Sequence, residues 1–169
     1  ILLSLAKELF GYDKDKLGFL NFSLAQLDPN EYAGWLVPAK DGESMRRLRP
    51  MFVPTEGCGI IFADEVAQAN QVLHNQFGQA VDEHRVGDFI IPDGWVIVSA
   101  GNPLSARAGS NKLPSQLADR FDFLNLEVNT DDVLSYYASN NVDHRITSWI
   151  KFDDQHLHSF DVSATGNAT

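Results

Sequence analysis

The sequence predicts an α/β protein built on a parallel sheet with helices on both faces. Two apolar runs, Gly59–Ala63 and Trp95–Ala100, lack polar alternation, as strands buried on both sides do. Between and around them apolar residues recur at helical spacing, most clearly Val66, Ala69, Val72, Leu73, Phe77, Ala80 and Val81. A third apolar run, Leu17–Phe22, precedes both, so strands and helices alternate along the chain.

The remaining elements follow in order. Leu2, Leu5, Ala6 and Leu9 place a helix over Ile1–Phe10, with Gly11 as its stop. From Asp28 to Thr55 the pattern is broken by Pro29, Gly34, Pro38, Gly42, Pro50 and Pro54. A connection of that length inside a compact domain tends to be functional. Arg85–Pro92 alternates and runs into the Pro92-Asp93-Gly94 turn, which predicts a hairpin. Leu113–Arg120 predicts a short helix, and Phe121–Val128 predicts a further strand. Helical spacing returns over Thr130–Tyr137 and Arg145–Phe152. The chain opens in mid-helix and closes on the small, polar Ser163–Thr169, a composition expected to be mobile. Both ends suggest a fragment of a longer protein.

Composition excludes several classes. The 169 residues carry 13 Lys and Arg against 23 Asp and Glu, a formal net charge of −10. That balance weighs against wrapping nucleic acid over the whole surface. With 44% hydrophobic and 21% charged residues, the chain has ordinary globular usage rather than that of a disordered segment. No apolar stretch reaches the roughly 18 residues of a membrane span. The single cysteine, Cys58, excludes an internal disulfide framework and points to a reducing, cytoplasmic setting.

Three segments can carry chemistry. Gly59–Ala63 ends in the adjacent carboxylates Asp64 and Glu65, at the sheet edge where open α/β folds bind ligands. An Asp so placed can hold Mg²⁺, and a following Glu can polarise an attacking water. The competing reading makes Asp64 the cap of the next helix and Glu65 part of its first turn. The second segment, Val96–Pro103, offers Asn102 as an uncharged phosphate or water ligand, or as part of an Asn-Pro turn. The third ends in Asp119-Arg120; the guanidinium suits phosphate oxygens, including those on a neighbouring subunit, or simply pairs with Asp119. His156 and His158 are two apart, unsuited to a shared metal on a helix. Arg46, Arg47 and Arg49 read as a solvated turn, and Cys58 as an inert thiol. No phosphate loop of the G-x-x-x-x-G-K-[ST] type occurs in the chain.

In this order and spacing, the three segments resemble the AAA+ ATPases, and within them the MoxR-like group. Gly59–Glu65 resembles the Walker B strand, Asn102 the sensor-1 residue, and Arg120 the arginine finger of the L-P-x-x-L-x-x-R-F segment. Leu27-Asp28-Pro29 with Gly34 resembles the start of the helix-2 region, whose insert would occupy Gly34 to Pro54. Pro92-Asp93-Gly94-Trp95 and Ala106-Arg107-Ala108-Gly109 resemble one MoxR subgroup.

The resemblance implies an AAA+ P-loop NTPase-type sheet lacking its first strand, with an AAA+ core over 1–128 and the start of a helical lid over 129–169. The phosphate loop is expected just before Ile1 and the sensor-2 arginine after Thr169, so residues 1–169 alone are expected to bind ATP weakly or not at all. It implies ATP and Mg²⁺ as cofactors, Asp64 on the metal, and Glu65, Asn102 and Arg120 as catalytic residues. It also implies a homo-oligomeric ring, a hexamer, that remodels a protein client, with or without an adaptor protein. The Gly34 region and the Arg85–Pro92 hairpin would face the client or the next subunit. Two other readings stand beside it: a non-hydrolysing interaction domain of the same fold, and a nucleic-acid motor of related fold.

Overall fold

Residues 2–10, 18–101 and 113–157 are described by the computed structural model. Asn102, Ala106–Gly109, His158 and Ser163–Thr169 lie outside them. Helix α1 (Leu2–Phe10) packs on the later strand β4 through the fully buried Ala6. Strand β1 (Phe19–Ser23) follows, one residue longer at its end than its apolar run. The short helix α2 (Pro29–Ala33) starts where Asp28 accepts a hydrogen bond from Asn30 N and proline fills the first helical position. An antiparallel ribbon, β2 (Leu36–Pro38) and β3 (Met45–Arg47), then occupies the middle of the long Pro/Gly-punctuated connection.

Strand β4 (Gly59–Asp64) is the centre of the three-stranded parallel sheet, whose order is β1-β4-β7. Ile60, Ile61 and Ala63 of β4 are buried. The single helix expected from Val66 onward is instead two elements. A 3-10 turn covers Val66–Gln68, and helix α3 (Gln71–Glu83) starts afresh. Asn70 explains the break: its side chain accepts from Leu73 N, a local bond that competes with a continuous helix. The predicted hairpin forms as β5 (Arg85–Val86) and β6 (Phe89–Ile90), turning through Gly87 at φ 53°. In strand β7 (Trp95–Ser99) Trp95 is buried, Val96 is exposed and the rest is half-buried, and β4 is its one sheet neighbour among the described residues. Helix α4 (Ser115–Ala118) docks on α3 with Leu117 buried.

The core joins Leu24, Tyr32, Phe52, Ile61, Leu73, Phe77 and Trp95, and burial pushes the Tyr32 hydroxyl above its ordinary pKa. The chain divides into two compact units, Ile1–Phe121 and Asp122–Thr169. In the second, α5 (Thr130–Ser139) is capped by Asn129 and α6 (His144–Phe152) by Asp143. The strand expected over Phe121–Val128 does not form: residues 121–129 have no regular structure, and Leu124 and Leu126 are exposed. An apolar run becomes a strand only where a neighbour takes its backbone hydrogen bonds, and none does so among the described residues.

Gly34 caps α2 at φ 90°, and a Cβ there would lie 2.2 Å from the Leu48 carbonyl oxygen. Gly42 has φ 72° with nothing within 4 Å. Gly42→Ala should therefore cost roughly 1 kcal/mol, the left-handed strain alone, whereas Gly34→Ala should cost about 2 kcal/mol or more because backbone must also move. Urea unfolding of both variants checks the ordering; equal losses would show that the Gly34–Leu48 contact yields freely.

Candidate functional site

The carboxylate pair sits where the sequence places it, at the C-terminal end of β4. Residues Ser23 of β1 and Asp64 of β4 are aligned in register, and Ala63 is aligned with Ser99 of β7. The parallel sheet thus brings three strand ends to one edge. Just past it the chain turns sharply. Glu65 adopts φ 56° and ψ 34°, a left-handed conformation that costs a non-glycine residue roughly 1–2 kcal/mol. Backbone bonds hold the turn from several sides. Ala100 N donates to the Ala63 carbonyl at 3.0 Å, Val66 N to the Ala100 carbonyl at 3.2 Å, and Gln68 N to the Glu65 carbonyl at 3.0 Å. Glu65 N donates to Asp64 Oδ1 at 2.8 Å.

This geometry answers the helix-cap reading. Asn70 caps α3, and Asp64 instead accepts from the adjacent Glu65 amide. The Asp64 side chain is exposed, and its Oδ2 has no partner among the described residues. Glu65 is half-buried, and the Ser23 hydroxyl donates to its Oε2 at 2.6 Å. That is the length of a charge-assisted O–H···O⁻ bond. Oε1 has no partner among the described residues. The site therefore presents two neighbouring carboxylates, one open to solvent and one oriented by a hydroxyl. Ser23 was missed in the sequence because its apolar run ends at Phe22. The edge rule that singles out Asp64 also applies to a polar residue closing the neighbouring strand.

Beneath the turn lies His74 of α3, the one buried charged or polar residue in the core of the described residues, 4% exposed. Its Nε2 lies 2.7 Å from the Val66 carbonyl, so the ring donates from that nitrogen. The contact ties the first turn after the carboxylates to α3.

Arg120 lies just beyond α4 and does not pair with Asp119. Its Nη2 donates to Asp82 Oδ2 of α3 at 3.2 Å, and its Nη1 donates to the Gln116 carbonyl. Asp82, Arg120 and Gln116 line a cleft of about 410 Å³ between α3 and α4, together with His74 and Gly78. His74, Gly78 and Asp82 recur every four residues, a helical stripe that could have marked this wall in the sequence. Asn102 lies outside the described residues.

Magnesium takes oxygen ligands and keeps several waters, so one or two carboxylates make a sufficient protein share. The exposed Asp64 carboxylate fits that demand. Among the described residues no cluster of three or more His, Cys, Asp or Glu side chains could hold a metal. No helix among them is long and apolar enough to cross a membrane.

No family model and no curated protein matches the sequence. Among solved structures, the chain is similar to a “putative ATPase” from Cytophaga hutchinsonii ATCC 33406, with a TM-score of 0.52 and 16% identity. That match covers 72% of this chain and 37% of the other. That likeness shows the fold alone, a mixed α/β fold of the AAA+ type with a parallel sheet. NtrX from Brucella abortus also matches, at a TM-score of 0.46 and 16% identity, over 80% of this chain and 33% of that one. Within the AAA+ fold, the β1-β4-β7 order sets the carboxylate-bearing strand between its two parallel neighbours.

His74→Ala should destabilise the protein by about 2 kcal/mol, because it leaves the Val66 carbonyl with only the Ala69 amide and opens space under the Glu65 turn. Equilibrium denaturation checks the loss. Wild-type stability would show that water replaces the imidazole.

Proposed function

We propose that this chain is the hydrolytic portion of a MoxR-like AAA+ ATPase that works as a cytoplasmic ring, a hexamer, and remodels a protein client. Its functional core would span 1–128, and 129–169 would begin the helical lid. The observation that carries this reading is the Glu65 carboxylate, held in a strained turn beside Asp64 and oriented by the Ser23 hydroxyl. A carboxylate held at one oxygen leaves the other to take a hydrogen bond from water. That is what a base for in-line attack on a phosphate needs.

In this reading Asp64 would hold Mg²⁺, which would supply charge neutralisation for the phosphates. Glu65 orients and deprotonates the attacking water. Asn102 places that water against the terminal phosphate. Arg120 serves a neighbouring subunit's site, where its fixed donors meet charge that develops on the phosphoryl oxygens. Ring formation follows from that division, since one subunit supplies the base and the next supplies the arginine.

The client-facing role falls to the two ribbons. Trp35, Leu36 and Met45 of the β2–β3 ribbon and Ile90 of the β5–β6 hairpin are exposed apolar side chains. Exposed apolar residues on these ribbons support contact with a protein, and an adaptor could share that surface. Segment 34–54 carries Lys40, Arg46, Arg47 and Arg49 against Asp41 and Glu43, a net 4 − 2 = +2 within a chain of −10. So small a positive patch favours a peptide over a nucleic-acid track.

The test uses a ring-forming protein in which a phosphate loop of the kind this reading requires precedes residues 1–169. Glu65→Gln should keep ATP affinity and lose turnover, because an amide hydrogen-bonds water but takes no proton from it. Normal turnover in that variant would reduce Glu65 to a turn residue.

Arg120→Ala should cut turnover by about 10³-fold or more while changing ATP affinity much less. Mixing Glu65→Gln with Arg120→Ala subunits should restore part of the activity, because some interfaces then join an intact Glu65 to an intact Arg120. Co-assembly without any recovery would rule out the role in trans.

A further inference from the structure

We propose that Asp82 is a positioning residue for Arg120, holding the guanidinium aimed at the neighbouring subunit's phosphate. The proposal rests on the trans role of Arg120 given above. It starts from the contacts of an arginine that lies just past a helix of only four residues. Arginine has several rotatable bonds, and a side chain so placed would sample many directions if nothing held it. Here it is held at two points on two elements: Asp82 Oδ2 of α3 takes Nη2 at 3.2 Å, and the Gln116 carbonyl of α4 takes Nη1.

Stability does not account for the pair. The two side chains are 35% and 57% exposed, and ion pairs with that much solvent add little to folding. The packing around it is nevertheless specific. Leu117 is buried and anchors α4, and a Cβ on Gly78 would lie 3.6 Å from Leu117 Cδ1 and 3.7 Å from Arg120 Nη1. The guanidinium thus lies along the α3 surface at its glycine, one turn before Asp82.

The other nearby charges do not compete for it. Glu83 turns to Arg85 at 3.6 Å, and Asp119, although adjacent in sequence, forms no bond with Arg120. A guanidinium has five N–H donors, and these two anchors leave the others for a phosphate. A fixed donor set reaches the transition state without first losing rotamer freedom, and misplacement by about 1 Å can cost on the order of 10²-fold in rate.

The experiment compares Asp82→Ala and Asp82→Glu with Arg120→Ala in the ring-forming protein. Asp82→Ala should lower kcat by about tenfold or more while leaving the KM for ATP and the melting temperature unchanged. Asp82→Glu, which keeps the carboxylate, should recover part of the loss. The decisive readout is subunit mixing. Asp82→Ala mixed with Glu65→Gln should regain activity, because the two defects lie on opposite sides of an interface. Asp82→Ala mixed with Arg120→Ala should regain none, because both defects lie on the same side.

Wild-type or raised kcat in Asp82→Ala, beside an inactive Arg120→Ala, overturns the positioning role and leaves the trans reading intact. Recovery on mixing Asp82→Ala with Arg120→Ala also overturns it. Normal turnover in Arg120→Ala removes the trans reading itself, and the proposal with it.

Discussion

The pairing of β4 with a parallel strand on each side is the constraint from which the rest of the core follows. Register runs from Phe19 opposite Ile60 to Ser23 opposite Asp64 on one side, and from Gly59 opposite Trp95 to Ala63 opposite Ser99 on the other. Because side chains alternate between sheet faces, a slip of one residue would turn Ile61 and Ala63 away from the core. The same slip would take Ser23 off the row that lets its hydroxyl reach Glu65. Close approach at the strand's start helps to set this register. A Cβ on Gly59 would lie 2.3 Å from the Gly18 carbonyl oxygen, so only glycine admits the neighbouring chain there. Trp95 adds a second anchor, its Nε1 donating to the Glu56 carbonyl at 3.0 Å.

A second set of contacts joins the two ribbons to each other. Arg47 Nη1 donates to the Gly34 carbonyl at 3.0 Å, and its Nε lies 3.8 Å from Asp88 Oδ2 in the hairpin turn. Arg49 lies 4.6 Å over the Phe89 ring and donates to the Pro54 carbonyl at 3.2 Å. Two- and three-residue strands are marginal alone, and cation–π and charge-assisted bonds of this kind give them a defined relation to each other. Arg47 and Arg49 are therefore braces rather than the solvated turn residues their sequence suggests. Arg46 alone of the three makes no hydrogen bond or ion pair among the described residues, which leaves it to whatever the ribbon meets.

What was legible in the sequence is what periodicity encodes. Continuous apolar runs marked β4 and β7, helical spacing marked α3, and alternation before Pro92-Asp93-Gly94 marked the hairpin. The misses all turn on partners distant in sequence or on local bonds that compete with a pattern. Asn70 broke a long helix by capping a shorter one. The β2–β3 ribbon is too short to carry any period, so only its Pro and Gly punctuation showed. Phe121–Val128 has strand composition, but composition supplies no neighbour. At the site, Asp64 and Glu65 were visible because they are adjacent in sequence at the end of one apolar run. Ser23 lies 42 residues from Glu65 and Asp82 lies 38 from Arg120, and no local rule pairs residues across such separations.

Those two long-range contacts act alike. In each, a charged group just past the end of a strand or helix is gripped by a side chain from the adjacent element: Ser23 on β1 grips Glu65 beyond β4, and Asp82 on α3 grips Arg120 beyond α4. Both grips are partly solvent-exposed, so neither adds much to the free energy of folding. Their effect is on direction. A strained left-handed turn presents Glu65 and a four-residue helix presents Arg120, and elements that short do not fix a side chain's heading by themselves. Rigidity is borrowed from the neighbouring strand and the neighbouring thirteen-residue helix, which the hydrophobic core holds in place through Leu73, Phe77 and Ala80. The core thereby reaches Glu65 and Arg120 through two hydrogen-bonded side chains. Substitutions at either would change how the groups point well before they change whether the protein folds.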